Sequence, residues 1–226
     1  RRVRRMPFPN RLFRSACAVC ALAPGPVCAD CEADFFPAGP RRCEVCAIRL
    51  HASDRVCGRC LASPPRFHRA TALADYAPPV DAMVMALKFR ARLELASAFG
   101  GLLARRVAVA AEALVVPVPL AFERMSERGF NQSLQLARAF CRASGARLGA
   151  NVVRRVRHCP PQQTLALDAR RRNVRGAFEM AGDVRGRDVL VVDDVMTSGS
   201  TMDEIARLLV SAGAAQVHAL VVARTP

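Results

Sequence analysis

Val189-Leu190-Val191-Val192-Asp193-Asp194-Val195-Met196-Thr197-Ser198-Gly199-Ser200-Thr201 is the stretch on which the fold turns. Four consecutive apolar residues read as a strand covered on both faces, which is the pattern of a parallel sheet. Such a strand delivers Asp193 and Asp194 to its C-terminal edge, where ligands of open α/β sheets bind. Adjacent carboxylates can accept from the two vicinal hydroxyls of a ribose. Thr197–Thr201 then bends into a helix start, whose free N–H groups and positive dipole end suit a phosphate. Gly199 keeps a side chain away from the anion, and the hydroxyls of Thr197, Ser198, Ser200 and Thr201 add donors. An ordinary strand–turn–helix with hydroxyl caps accounts for the Ser and Thr residues but not for two acids at a buried strand's end. A Walker B reading needs a lysine loop, and the one lysine, Lys88, follows Leu87 with no glycine run.

Elements outward from that run alternate between strand and helix. Thr201–Ser211 carries Ile205, Leu208, Leu209 and Ala212 inward, Gly213 ends it, and Val217–Val222 is the last strand. Upstream, Thr71–Tyr76 is a short strand, Val80–Phe89 a helix, Leu93–Ala110 a second helix and Leu114–Val118 a buried strand. Asn131 is placed to cap a helix with Leu134, Ala137 and Phe140 on one face, and Val152–Val156 is a weaker strand. The alternation implies an α/β domain with a mostly parallel sheet wrapped by helices.

Composition shifts near residue 65, with Pro64-Pro65 as punctuation. Before it stand four C-x-x-C units: Cys17/Cys20, Cys28/Cys31, Cys43/Cys46 and Cys57/Cys60. Two intervening residues let both sulfurs meet one ion, and two such knuckles complete a tetrahedral site. Disulfides want an export signal, and a redox dithiol would stand singly beside a βαβ unit. The spacing therefore points to two structural zinc ions. Sequential pairing is the simpler arrangement and an interleaved one stays open. Cys141 and Cys159 read as bystanders.

The formal charge is +15, of which eight thiolates and two zinc ions would remove four. Arginine dominates, which fits the codon usage of a GC-rich genome. Solvated arginine faces account for most of the excess, and a nucleic-acid or phosphate partner is the other reading. No apolar run reaches the roughly 18–20 residues of a membrane helix, and no apolar core follows the basic Arg1–Arg5. The cytoplasm is the expected location.

The thirteen residues from Val189 to Thr201 resemble the phosphoribosyl pyrophosphate (PRPP) signature of type I phosphoribosyltransferases. That resemblance gives Asp193 and Asp194 the ribose 2′ and 3′ hydroxyls, with Mg²⁺ nearby, and Thr197, Ser198, Gly199, Ser200 and Thr201 the 5′-phosphate. Ahead of it, in order, come the cysteine pairs, Ala86-Leu87-Lys88-Phe89, Val116-Pro117-Val118-Pro119, Glu127-Arg128-Gly129-Phe130-Asn131-Gln132 and Arg172-Asn173-Val174-Arg175-Gly176-Ala177-Phe178. Together they resemble the ComF family of competence-associated proteins over nearly the whole chain. The resemblance implies a double zinc ribbon (1–65) before a phosphoribosyltransferase-like domain (66–226), and a cytosolic role in handling single-stranded DNA with the uptake machinery. It also implies a mobile lid at the Arg170–Arg172 run, with a solvated charge run as the alternative. In ComF proteins a glycine usually follows the second cysteine of a pair; here Ala21 and Ala47 stand there.

Several residues are candidates for the pyrophosphate or phosphate. Val118 and Pro119 form a rigid turn after a strand. Arg128 sits on a glycine-flexed loop before Asn131, which either opens an anion site or is a plain cap. Arg171 and Arg172 lie in the lid segment. Lys88 could offer a compact ammonium to a phosphate, or could have survived by chance. The acceptor hood is expected from residues 1–110, with the helical segment 66–112 contributing, so the zinc module should pack near the site.

Overall fold

In the computed structural model, residues 15–39, 41–50, 54–157 and 174–226 are described. The apolar run forms β6 (Asp188–Met196), the central strand of a five-stranded sheet with order β1-β7-β6-β2-β3. Its companions are β1 (Arg69–Asp75), β7 (Gln216–Arg224), β2 (Leu114–Pro117) and β3 (Arg147–Leu148), and every pairing is parallel. Parallel strands need covering on both faces, and side-chain alternation along β6 supplies two cores. Val189 and Val191 face one core, Leu190 and Val192 the other.

The second of these cores is covered by α3 (Val80–Phe89), α4 (Leu93–Arg106) and α6 (Gln132–Ser144). Helices α4 and α6 cross closely at Gly100, where a Cβ would lie 2.5 Å from Ala139 Cβ and 2.7 Å from the Phe140 nitrogen. The opposite core is covered by α7 (Ser200–Ser211) and an antiparallel pair, β4 (Val153–Arg155) with β5 (Phe178–Met180).

Several expectations needed adjustment. Val152–Val156 yields β4, but it pairs with β5 outside the main sheet because its arginines leave too little apolar surface for a central position. The helix from Leu93 stops at Arg106, before the β-branched Val107 and Val109. On α6 the inward residue is Leu136 rather than Leu134, and on α7 Met202 and Ala206 are buried while Leu208 is only partly so. A short helix α5 (Phe122–Arg128) had no apolar period to announce it and buries none of its residues.

The cysteine-rich segment packs on this frame. It contains two short helices, α1 (Ala29–Phe35) and α2 (Gly58–Ala62), capped by Cys28 and Cys57. Phe36, just after α1, meets Phe99 of α4 with ring centroids 5.8 Å apart, and Arg105 pairs with Glu32. Cys43, Cys46, Ala47 and Cys60 join the same core as Val191, Met196 and Met202. Arg42 binds Asp75, at the end of β1, at 2.7 Å.

Candidate functional site

Strand β6 holds its acids at the C-terminal edge of the sheet, and helix α3 brings Lys88 to them. The Lys88 ammonium lies 2.9 Å from Asp194 Oδ1, and Asp194 is 3% exposed. Asp194 Oδ2 is buried without a hydrogen-bond partner among the described residues. Asp193 Oδ1 accepts from the Ser133 hydroxyl at 2.7 Å and from the Asp194 N–H at 2.9 Å. Burial and the neighbouring Asp194 charge push the Asp193 carboxyl up to about 7, against the pull of Ser133 and Lys88. Two carboxylates crowd one ammonium, and a ligand hydroxyl or cation would relieve them.

Arg128, at the end of α5, stands over the Phe89 ring at 4.7 Å and donates to Gln132 Oε1 at 3.1 Å. Its Nε is a buried donor without a partner among the described residues, and burial lowers its pKa while the charge of Asp194 raises it. Lys88 thus contacts Asp194 directly, and Arg128 adds a second positive charge from another element.

The turn after β6 leads directly into α7. Gly199 caps α7 with φ of +82°, a left-handed conformation that L side chains adopt at a cost. Gly199 has no side chain to cap α7; the Ser198 hydroxyl oxygen accepts from the Ser200 N–H at 3.3 Å, and the Ser198 and Ser200 hydroxyls sit 2.8 Å apart. A cavity of about 30 Å³ is lined by Asp193 and residues 195–202, so Asp193 and Thr197–Thr201 share one small cradle, while Asp194 is buried against Lys88. The start of α6 is the opposite case. Asn131 Oδ1 accepts from Ser133 and Leu134 N–H at 2.9 and 3.3 Å, and its amide nitrogen donates to the Val118 carbonyl at 3.1 Å. Asn131 is therefore engaged as a cap and a tie. Val118 donates its own N–H to the Val192 carbonyl at 2.9 Å, so its N–H and carbonyl are both engaged within the fold. Lys88, expected on a phosphate, pairs with Asp194. Pro119 follows in the same turn, and Arg171 and Arg172 lie outside the described residues.

Three site residues carry no motif. Ser133 is in the first turn of α6, where its position under β6 is set by the Asn131 cap. Glu204 accepts from the Gly176 N–H at 2.8 Å and from Arg207, tying the segment after the arginine-rich run to α7. An acid on the buried face of α7 was its one sequence signal. Arg224, 2% exposed at the end of β7, donates to Thr197 and Cys46 carbonyls; a charged residue closing an apolar strand was its signal.

The cysteines gather in chain order. Sulfurs of Cys17, Cys20, Cys28 and Cys31 lie within 4.8 Å of one another, as do those of Cys43, Cys46, Cys57 and Cys60. This is the sequential arrangement. Backbone N–H groups of Cys28 and Cys57 point at the sulfurs of Cys17 and Cys43 at 3.4 and 3.3 Å, which favours thiolate. Burial resists ionisation of Cys17, yet N–H donors from Cys20 and Cys28 bring it down to about 6. Four converging sulfurs with such donors fit a structural Zn²⁺ in each cluster. Ala21 and Ala47 adopt φ of +57° and +56°, the glycine conformation without the glycine, and each donates its N–H back to the first cysteine's carbonyl.

Residues 94–226 match the phosphoribosyl transferase domain. DNA utilization protein YhgH of Escherichia coli K12 is 39% identical over 190 residues, 81% of this chain and 84% of that one. Competence protein F of Haemophilus influenzae is 29% identical over 215 residues, 90% of this chain and 92% of that one. Among solved structures, a hypoxanthine phosphoribosyltransferase of Staphylococcus aureus aligns at 14% identity and a TM-score of 0.37, covering 59% of this chain and 63% of that one. The parallel sheet with its acid-tipped β6 is a phosphoribosyltransferase-type fold. Two Cys₄ clusters ahead of it, together with these relatives, complete the identification: the chain belongs to the ComF family. Among the described residues no helix is long and apolar enough to cross a membrane.

Proposed function

We propose that the chain binds PRPP with Mg²⁺ at the C-terminal edge of β6 and transfers its 5-phosphoribosyl group to an acceptor the sequence does not name. The observation that supports this reading is the cradle in which Asp193 and the Thr197–Thr201 turn meet, with Asp194 the next residue of the same strand. Asp193 and Asp194 would accept from the ribose hydroxyls, and the Thr197–Thr201 N–H and hydroxyl groups would hold the 5′-phosphate. Magnesium would neutralise the pyrophosphate as it leaves. The acceptor's lone pair forms the new bond at the anomeric carbon from the face opposite the departing pyrophosphate, which inverts that centre. No protein nucleophile is required; position and charge suffice. Lys88 must then exchange its Asp194 partner for the ligand or share it. The division into a ribbon module (1–65) and a catalytic domain (66–226), with 66–112 helping to form the hood, belongs to the same proposal.

The relatives' names favour a second reading, in which the chain handles single-stranded DNA in the cytoplasm during uptake and keeps the PRPP fold as a sensor or scaffold. The net charge of +15 supports it. The two are separated by assaying pyrophosphate release from Mg–PRPP across a panel of bases, alongside single-strand binding as a function of salt. Release that Asp194→Asn abolishes supports transfer. Salt-dependent DNA affinity that survives Asp194→Asn, with no release from the wild type, overturns transfer in favour of the second reading.

A further inference from the structure

The second cysteine cluster and the Thr197–Thr201 turn are held by one buried side chain. Arg224 ends β7, in register with Met196 of β6 and Asp75 of β1, at the sheet edge that carries the acids. Its Nε donates to the Cys46 carbonyl at 3.1 Å. Its Nη1 donates to the carbonyls of Thr197 at 2.5 Å and Met196 at 3.1 Å, and to that of Thr225 at 2.5 Å. A guanidinium is a rigid planar fork. Moving the Cys46 knuckle away from the turn, or the turn away from the knuckle, strands a buried donor or acceptor.

The same two regions also meet across a cavity of about 240 Å³. Cys46, Arg59 and Cys60 line one side, and Met196 and Ser198, Gly199 and Ser200 the other. The connecting chain clamps the first turn of α7, where the Arg66 N–H meets Asp203 Oδ1 at 2.5 Å. By contrast, the first cluster is anchored on α4, through Phe36 on Phe99 and Glu32 on Arg105.

We propose that zinc retention at Cys43, Cys46, Cys57 and Cys60 and phosphosugar binding at Thr197–Thr201 strengthen one another through Arg224, which acts as a positioning residue. The inference rests on the reading of that turn as the phosphate site. Coupling between two sites is reciprocal: if the loaded knuckle fixes the turn for the ligand, the ligand must hold the metal more firmly by the same factor. A purely structural zinc would show no such dependence on ligand.

The test uses the full chain loaded with two zinc ions and challenged with a chelator and an alkylating reagent. Mass spectrometry follows each cysteine cluster, with and without saturating ribose 5-phosphate, whose binding is measured by calorimetry on the same preparation. The ligand is expected to slow alkylation of Cys43–Cys60 by about five-fold or more, the low end of usual coupling, and to leave Cys17–Cys31 unchanged. Arg224→Lys, which keeps the charge but loses the fork, should bind zinc and abolish the ligand's effect. If that variant does not fold, the wild-type comparison decides alone. Ribose 5-phosphate that binds without changing either rate, or slows both clusters equally, overturns the coupling and leaves the binding reading intact. Failure to bind at all defeats the binding reading and the coupling with it.

Discussion

Asp193→Asn should make the free protein more stable while removing its ligand. Asp193 lines the cradle beside the buried Asp194, and one ammonium, Lys88, answers both. The Asp193 carboxyl lies at about 7 rather than 3.8; at 1.36 kcal/mol per pKa unit that bounds the cost of ionising it near ~4 kcal/mol. Solvent at its partly open edge reduces that figure, so we expect ~1–2 kcal/mol to be recovered. Asparagine keeps Oδ1 for the Ser133 and Asp194 donors, so no hydrogen bond is lost there. For a chain of this length the gain corresponds to a rise in Tm of about 2–8 °C. The sign of the pH dependence follows from the raised pKa. The folded protein holds this proton more tightly than the unfolded chain, so the penalty is absent below about pH 4, grows as pH rises and is complete above about pH 7. Melting of wild type and variant at pH 8.5 and 5.5 should therefore show a gap that falls to about half at the lower pH. Zinc loss in acid affects both proteins alike and cancels in the difference. A variant that melts below wild type at pH 8.5, or a gap that ignores pH, would refute the crowding argument.

Lys88→Met leaves Asp194 buried without its 2.9 Å partner and should cost ~1–3 kcal/mol in urea unfolding, less than for a fully buried pair because Arg128 stands near; Lys88→Arg should restore part of it. Ala21→Gly relieves a left-handed alanine at an exposed position and should stabilise by ~0.5–1 kcal/mol, read as slower zinc release; Ala47→Gly should gain less, because its buried methyl is lost from the core. Gly100→Ala should destabilise by ~1–3 kcal/mol in thermal melts despite alanine's better helix propensity, since its methyl meets the Phe140 backbone, which cannot swing aside.

What could be read in advance follows from how local each signal is. The strand of β6, its acids and the helix start lie in thirteen consecutive residues, so their chemistry and geometry arrive together. Four C-x-x-C units likewise carry their ligand spacing within themselves, although their sequential grouping is a property of the fold. The remaining site residues depend on distant partners. Ser133 reaches Asp193 across sixty positions, and Arg224 reaches Cys46 across 178. Asn131 could be read as a cap from its residue type, but its second bond, to Val118, needed the sheet edge to be built. Strands β3 and β5, two and three residues long, are too short to show a period. The helices α1 and α2 were hidden by the cysteines that cap them, since their stability comes from the clusters rather than from an apolar face.

The central claim is that the cradle at the end of β6 is a PRPP site. Calorimetric titration of PRPP with Mg²⁺ into the wild type and into Asp193→Asn/Asp194→Asn, at fixed ionic strength and with zinc content verified, tests it most directly. The account predicts saturable binding to the wild type that is lost in the double variant. Absence of binding to a folded, zinc-loaded wild type, or equal binding to both proteins, would contradict it.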